Sequence, residues 1–379
     1  MRLAYDAAPL MGHRTGVGHY TATLLDELLA LDLPDDPLYV SLFAFTRQRR
    51  SIELPEATRA GLHHVRVPAR LVVNGWELLA GLSGGRPAYR RGLVGARPFD
   101  VVHGTNYWVP PQTRRNGVVN VHDLTFLHHP EWCTPQVRRF RWLVPRVLER
   151  AEVVLALSET LKQQIVADLG FPEDRVVVTP LGVRHAFVGA ADDPALRERF
   201  GIGSDYVLFL GSQEPRKNLP RLLRAFAAAQ LAGVQLVLAG PPGWGGEDLV
   251  GLADSLGIAD RVVSTGYLTE AEVGSLVTGA RVFAFPSLYE GFGLPPLEAM
   301  AAGVPVLSSS AAPLPEVLGD APFYADPLSI DALAEALTVA VTDDAARARA
   351  IAAGRAHAAT YSWRRTAELT LEAYRRVAS

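Results

Sequence analysis

Four short stretches place reactive side chains where apolar runs end. Glu290-Gly291-Phe292-Gly293-Leu294-Pro295-Pro296-Leu297-Glu298 carries two carboxylates with seven residues between them. Its glycines free the backbone, and its prolines suit a helix start. Glu290 then sits in a loop and Glu298 on the first turns of a helix, so the pair can hold two parts of one ligand. Gly211-Ser212-Gln213-Glu214-Pro215-Arg216-Lys217-Asn218 sets two adjacent cations beside a helix N-terminus, an arrangement that favours phosphate oxygens. It lacks the G-x-x-x-x-G-K-S/T order of a P-loop. His122-Asp123 closes a buried run, where the histidine can donate to a hydroxyl or relay charge with Asp123. Thr15-Gly16-Val17-Gly18 precedes a helix, and Gly16 and Gly18 let the backbone approach a ligand. It is not the G-x-G-x-x-G fingerprint, because His19, Tyr20 and Thr21 follow. Each stretch also has an ordinary reading: a tight turn, a histidine capping the next turn, surface cations, or a capping carboxylate beside a surface one.

The elements that must position these residues read as strands alternating with helices. Strands are predicted at Arg2–Asp6, Tyr39–Phe45, Leu62–Val67, Val101–His103, Val118–Val121, Val153–Leu157 and Arg175–Thr179. The rhythm restarts with Tyr206–Leu210, Gln235–Ala239, Val262–Ser264, Val282–Phe285 and Val306–Ser308. These runs are rich in Val and Leu and mostly lack polar alternation, as in parallel sheets covered on both faces. Helices are predicted over Thr21–Ala30, after Ser158, over Leu219–Ala229, from a capping box at Thr269 and Glu272 with Gly279 near its end, and over Leu297–Ala302. The pattern implies two open α/β domains of Rossmann type, with a boundary near 182–203. Two such domains facing each other make an intervening cleft, and ligands bind outside the carboxyl ends of the strands. The tail from Asp343 is helical with a break near Tyr361-Ser362-Trp363.

The 379 residues carry 37 Lys and Arg against 40 Asp and Glu, with 49% hydrophobic residues, which excludes disorder across the chain and a global basic field for nucleic acid. Two basic runs stand out, Arg47 to Arg50 and Arg138 to Arg150. In the second, arginines interleave with Phe140, Trp142, Leu143, Val144 and Val147, as on a peripheral membrane helix, although Pro145 interrupts it unless it lies in a first turn. A peripheral contact with anionic membrane is thus a candidate partner. The single Cys133 excludes an internal disulfide and a multi-cysteine zinc site. His128, His129 and Glu131 lack a metal-ligand spacing, so no metal is expected. The polar start does not read as a signal peptide, and no apolar run reaches the ~20 residues of a membrane span. A cytoplasmic protein is expected, peripheral on the inner membrane face if the arginine run meets lipid.

Taken in order, TGVGHYT (15–21), VHDL (121–124), LGSQEPRKNL (210–219) and FPSLYEGFGLPPLEAMAAGVPV (285–306) resemble the retaining glycosyltransferases of family 4, which have the two-domain GT-B fold. The resemblance runs from residue 1 to about 375. It implies an acceptor-binding Rossmann-like domain at 1–186, a nucleotide-sugar-binding one at 187–355, and a helical segment at 356–379 returning to the first. It implies transfer of a sugar from a nucleotide diphosphate to a glycan or glycolipid hydroxyl with retained configuration. No cofactor is held permanently and no Asp-x-Asp metal site is needed. His122 would sit near the donor sugar, Arg216 and Lys217 would hold the diphosphate, Glu290 the sugar, and Glu298 the ribose. The amides of Gly291, Phe292, Gly293 and Leu294, with Gly16 and Gly18, would complete the donor site. The chain departs from the pattern at Ser212, where many members carry a basic residue. The Glu-Pro-Arg-Lys-Asn form looks most like bacterial mannosyltransferases of surface-polysaccharide assembly, favouring GDP-mannose over UDP- or dTDP-sugars. A phosphorylase, a nucleotide-sugar epimerase and a non-catalytic sugar-binding protein of the same fold are the alternatives.

Overall fold

A computed structural model describes residues 1–11, 15–45, 62–65, 99–110, 115–184 and 187–379. The run Arg47 to Arg50 and the last two residues of the strand expected at Leu62–Val67 lie outside them. Strands β1 (Arg2–Asp6), β2 (Tyr39–Phe45), β3 (Leu62–Val65), β4 (Val101–Gly104), β5 (Gly117–Val121), β6 (Ala151–Ala156) and β7 (Val176–Val178) form one sheet. Its order is β3-β2-β1-β4-β5-β6-β7. Strands β8 (Tyr206–Leu210), β9 (Gln235–Ala239), β10 (Val262–Gly266), β11 (Val282–Phe285), β12 (Val306–Ser309) and β13 (Phe323–Ala325) form a second, ordered β10-β9-β8-β11-β12-β13. Every named pairing is parallel. Strands β4, β5, β11 and β12 are buried at every residue, which is why their sequences show no polar alternation. β13 was not expected; at three residues it is too short to leave a periodic signal.

The strand order reverses between β1 and β4 in the first sheet and between β8 and β11 in the second. Such a reversal opens a crevice beyond the strand ends where loops diverge. The first compact unit comprises Met1–Leu124, Arg139–Leu181 and Trp363–Ser379, and the second Thr125–Arg138 and Gly182–Ser362. Within the first, the helix Trp363–Ala378 packs on the sheet: Trp363 is buried against Tyr20, with ring centroids 6.0 Å apart. The Tyr374 hydroxyl lies 2.6 Å from His103 Nδ1.

Local chemistry sets the helix ends. The helix expected from Thr21 begins five residues earlier, as Gly16–Leu29, because the Thr15 hydroxyl accepts from the Gly18 N–H at 3.5 Å. Gly16 and Gly18 therefore lie in its first turn, not in a preceding loop. Thr269 and Glu272 form the reciprocal capping box, but the helix Glu270–Gly279 ends on Ala280 in extended conformation, so Gly279 is not the cap. Pro145 lies in the second turn of the helix Phe140–Leu148, not in the first. Of the apolar residues read beside the arginines, Val144 and Val147 are buried with Leu148, while Trp142 is 62% exposed.

Candidate active site

The second unit gathers three of the expected residues at its switch point. Arg216 and Lys217 follow β8 and Glu290 follows β11. Arg216 Nη1 donates to Glu290 Oε2 at 2.6 Å and Lys217 Nζ to Glu290 Oε1 at 2.5 Å. Burial alone would raise the Glu290 carboxyl, but the two cations outweigh it and bring it down to about 2. Lys217 is itself buried, its ammonium 4.6 Å from the centre of the Phe285 ring. Burial, then Arg216, holds its pKa below the usual lysine value against the pull of Glu290. These are not surface cations.

Sequence reasoning missed the scaffold beneath them. Glu214 accepts from Arg216 Nε at 2.8 Å and from the Ser212 hydroxyl, so Ser212 braces the carboxylate that orients Arg216. Asn218 adopts a left-handed backbone, φ 61°, and its side-chain amide donates to Pro286 O at 3.1 Å and Pro327 O at 2.7 Å. That ties the loop after β8 to the end of β11. The only sequence signal was an Asn at a helix boundary, where this residue type tolerates the left-handed region.

The Gly-rich segment explains its own composition. Gly293 has φ 110°, and a Cβ there would meet Leu314 Cδ2 at 2.5 Å. The helix Leu294–Ala302 follows with Pro295 and Pro296 at its second and third positions, as the prolines suggested. Neither proline has an N–H to offer an anion. Phe292 is buried, edge-on to Tyr361 at 6.0 Å.

Glu298, by contrast, is not open. It is fully buried and bound twice by Arg184, Nε to Oε1 at 2.5 Å and Nη2 to Oε2 at 2.8 Å. Arg184 also reaches Glu270 Oε1 at 3.1 Å. Burial would depress the guanidinium, but its bonds to Glu298 and Glu270 raise it, so it remains a cation. The carboxylate expected to meet a ribose must share its lone pairs with Arg184, a residue that no sequence pattern singled out.

His122, Gly16 and Gly18 belong to the first unit. His122 Nε2 lies 2.8 Å from Thr105 O; a carbonyl only accepts, so this nitrogen carries the proton. Burial, opposed by Thr105 and the Asp123 charge, keeps the ring below its ordinary pKa and therefore neutral at pH 7. In that tautomer Nδ1 is an acceptor, which corrects the expectation that His122 donates to a hydroxyl. Tyr20 and Tyr107 flank the ring edge-on, with centroids 5.2 and 5.5 Å away. Tyr107 holds a left-handed φ of 57°, its hydroxyl accepting from Asp123 N at 2.8 Å. Gly16 is exposed with nothing near its missing Cβ, whereas Gly18 is buried. Among the described residues no cluster of three or more His, Cys, Asp or Glu could hold a metal ion. His129 instead pairs with Glu131 at 3.2 Å and stacks on Trp132.

Two parallel α/β units of this kind make up the GT-B fold of nucleotide-sugar-dependent glycosyltransferases. Residues 15–182 match the glycosyl transferase 4-like domain, and residues 192–357 the glycosyl transferases group 1. The chain is 30% identical over 390 residues to O-antigen chain mannosyltransferase B of Escherichia coli, covering 99% of this chain and all of that one. It is 28% identical over 342 residues to the MMP alpha-(1->4)-mannosyltransferase of Mycolicibacterium hassiacum, covering 84% of this chain and 76% of the relative. Its fold is similar to sucrose-phosphate synthase from Thermosynechococcus elongatus, with TM-score 0.74, 19% identity and coverage of 99% and 98%. The chain belongs to glycosyltransferase family 4, and its sequence is similar to bacterial mannosyltransferases. Among the described residues no helix is long and apolar enough to cross a membrane.

Proposed function

We propose that the protein transfers mannose from GDP-mannose to a hydroxyl of a glycan or lipid-linked glycan, with retention of configuration. The observation that carries the reading is the Glu290 carboxylate held between Arg216 and Lys217 at the β8/β11 switch point. The donor diphosphate takes over the two cations, assisted by the amides of Gly291 to Leu294, and Glu290 turns to the sugar hydroxyls. Glu298 meets the ribose once Arg184 yields one of its two oxygens. Mannose as the sugar is supported by the two mannosyltransferase relatives. The α linkage in the second relative's name, set against the α-linked diphosphate of GDP-mannose, also supports retention.

Retention requires a double displacement or attack on the leaving group's own face. A double displacement needs a carboxylate aimed at C1 from the far face of the sugar, whereas in this reading Glu290, once the diphosphate has taken its cations, is committed to the sugar hydroxyls. We therefore favour same-face attack. The bond from C1 to the phosphate oxygen breaks as the acceptor oxygen bonds to C1, and the departing phosphate takes the acceptor proton. His122, through Nδ1, accepts from a sugar hydroxyl and orients the ring. Arg216 and Lys217 offset the charge on the leaving diphosphate, the role a metal would fill, so turnover continues in excess chelator. The reaction takes place in the cytoplasm, against the inner face of the membrane.

Purified protein, GDP-mannose and an α-mannoside acceptor, followed by NMR of the product anomer, test the reading. An α product is expected, and Lys217→Ala should lower kcat at least ~10-fold because its charge matters most as the diphosphate departs. A β product, or preferential turnover of UDP- or dTDP-sugars, would sink it.

A further inference from the structure

We propose that the second unit carries a glycan-binding groove, separate from the donor cluster, that grips the acceptor chain away from its reacting end. The proposal rests on the transferase reading above. The groove has a volume of about 930 Å³, and its walls include Gln213, Arg221, Arg224, Trp244, Glu247 and Trp132. That volume is at the upper end of the roughly 300–1,000 Å³ of small-molecule sites, so it exceeds the needs of one hexose. Arg216, Lys217 and Glu290 do not line it, although Glu214, Pro215 and Asn218 of the same loop do. It borders the donor cluster and shares with it only the Glu214 carboxylate that pairs with Arg216.

The chemistry of the walls selects a neutral, hydroxyl-rich ligand. Two arginines face three carboxylates, Glu214, Glu247 and Asp248. Arg224 is paired with Glu247 at 2.8 Å, and Arg221 donates to Asn218 Oδ1 at 2.9 Å. This leaves no surplus positive charge to recruit a phosphate or a lipid headgroup. Fixed guanidinium and carboxylate edges instead offer donors and acceptors to sugar hydroxyls.

Two indoles supply the apolar half. Trp244 is 39% exposed, and its Nε1–H donates to Trp132 O at 2.8 Å, which orients the ring. Trp132 stacks on His129 with centroids 3.9 Å apart and planes 13° apart. The loop bearing Trp244 is docked close: a Cβ on Gly243 would lie 2.1 Å from Gln213 O. The negative face of an indole attracts the positively polarised C–H groups on one face of a pyranose. Because these rings are already held, little ordering entropy opposes binding. Aromatic faces beside hydrogen-bonding edges suit a chain of sugars, whose rings present C–H faces and hydroxyl rims in turn.

The full-length protein and α-linked mannotetraose test the proposal by titration calorimetry, with acceptor-free hydrolysis of GDP-mannose run on the same preparation. Trp244→Ala should weaken mannotetraose binding at least about fivefold, and Trp244→Phe should restore most of it. Arg224→Ala should weaken it as well. KM for mannotetraose as acceptor should rise in parallel, while KM for methyl α-mannoside and the hydrolysis rate stay unchanged. Wild-type affinity in Trp244→Ala and Arg224→Ala would overturn the groove. So would failure of the wild type to bind mannotetraose while it hydrolyses GDP-mannose, an outcome that leaves the transferase reading standing. Trp244-dependent binding without GDP-mannose hydrolysis would keep the groove and remove the donor reading.

Discussion

The protonation state of His122 decides what it can do. Its Nε2–H is committed to Thr105 O, so the role proposed for it at the donor sugar needs a neutral ring with Nδ1 as acceptor. Burial lowers the ring's pKa, and protonation would silence Nδ1 only below the ordinary histidine value of about 6.5. The acid limb of a kcat/KM profile should therefore lie below pH 6.5. His122→Ala should reduce kcat by at least ~10-fold while calorimetry finds nucleotide affinity changed by less than about threefold. At Glu298 the structure changes what a mutation means. Glu298→Ala leaves the half-buried Arg184 cation with the exposed Glu270 as its partner, which should cost about 1–3 kcal/mol in urea unfolding before any ribose contact is counted. The double variant with Arg184→Ala should cost clearly less than the sum of the two single ones.

Two elements present the remaining charged groups. The 211–218 loop is built to present Arg216 and Lys217, with Glu214 holding the guanidinium and Asn218 anchoring the loop to two carbonyls. The helix Phe140–Leu148 is the other. Its inner side packs on the protein through Val144, Val147 and Leu148, and its outer side shows Arg139, Arg141, Trp142 and Arg146. Arg138 precedes the helix, and its Nε donates to Pro130 O and Cys133 O. Arg141 lies over the Trp142 ring at 4.6 Å, leaving one exposed aromatic among arginines. Membrane contact here would be electrostatic with a single interfacial indole, worth about 1 kcal/mol per arginine near an anionic surface. The protein should co-float with anionic liposomes at low salt and be released at high salt, and Arg139→Glu with Arg141→Glu should abolish flotation. Persistence at high salt would contradict this electrostatic account.

At the scale of the whole molecule, the chain closes the first unit with its last helix. Tyr374 reaches His103, Thr366 Oγ1 donates to Pro180 O at 2.6 Å, and Trp363 packs on Tyr20. Burial drives His103 down to about 4, so it stays neutral and pairs with Tyr374 and with Asn120 Oδ1 at 2.6 Å. Tyr374→Phe removes one buried partner and should destabilise the protein by about 1–3 kcal/mol in thermal or urea unfolding. GDP affinity should stay the same, since the phosphate-binding residues proposed here belong to the second unit.

The strands were legible in the sequence, because most residues buried on both faces of a parallel sheet are apolar; β1, β2, β8, β9 and β11 lie where those runs predicted. The sequence also located Arg216, Lys217, Glu290 and Glu298, because glycines, prolines and charges at strand ends leave a linear trace. It misplaced the start of the helix Gly16–Leu29, since the glycines of its first turn read as a loop while Thr15 was capping it. What a side chain touches is a long-range matter. Arg184 and Glu298 are 114 positions apart, Lys217 and Glu290 are 73, and Trp132 and Trp244 are 112. Only the tertiary structure decided that Glu298 is bound by an arginine, that Ser212 supports Glu214, that His122 is an acceptor, and that Val144 and Val147 turn inward while Trp142 does not. Each depends on which strand ends the sheet order brings together, and no local propensity encodes that.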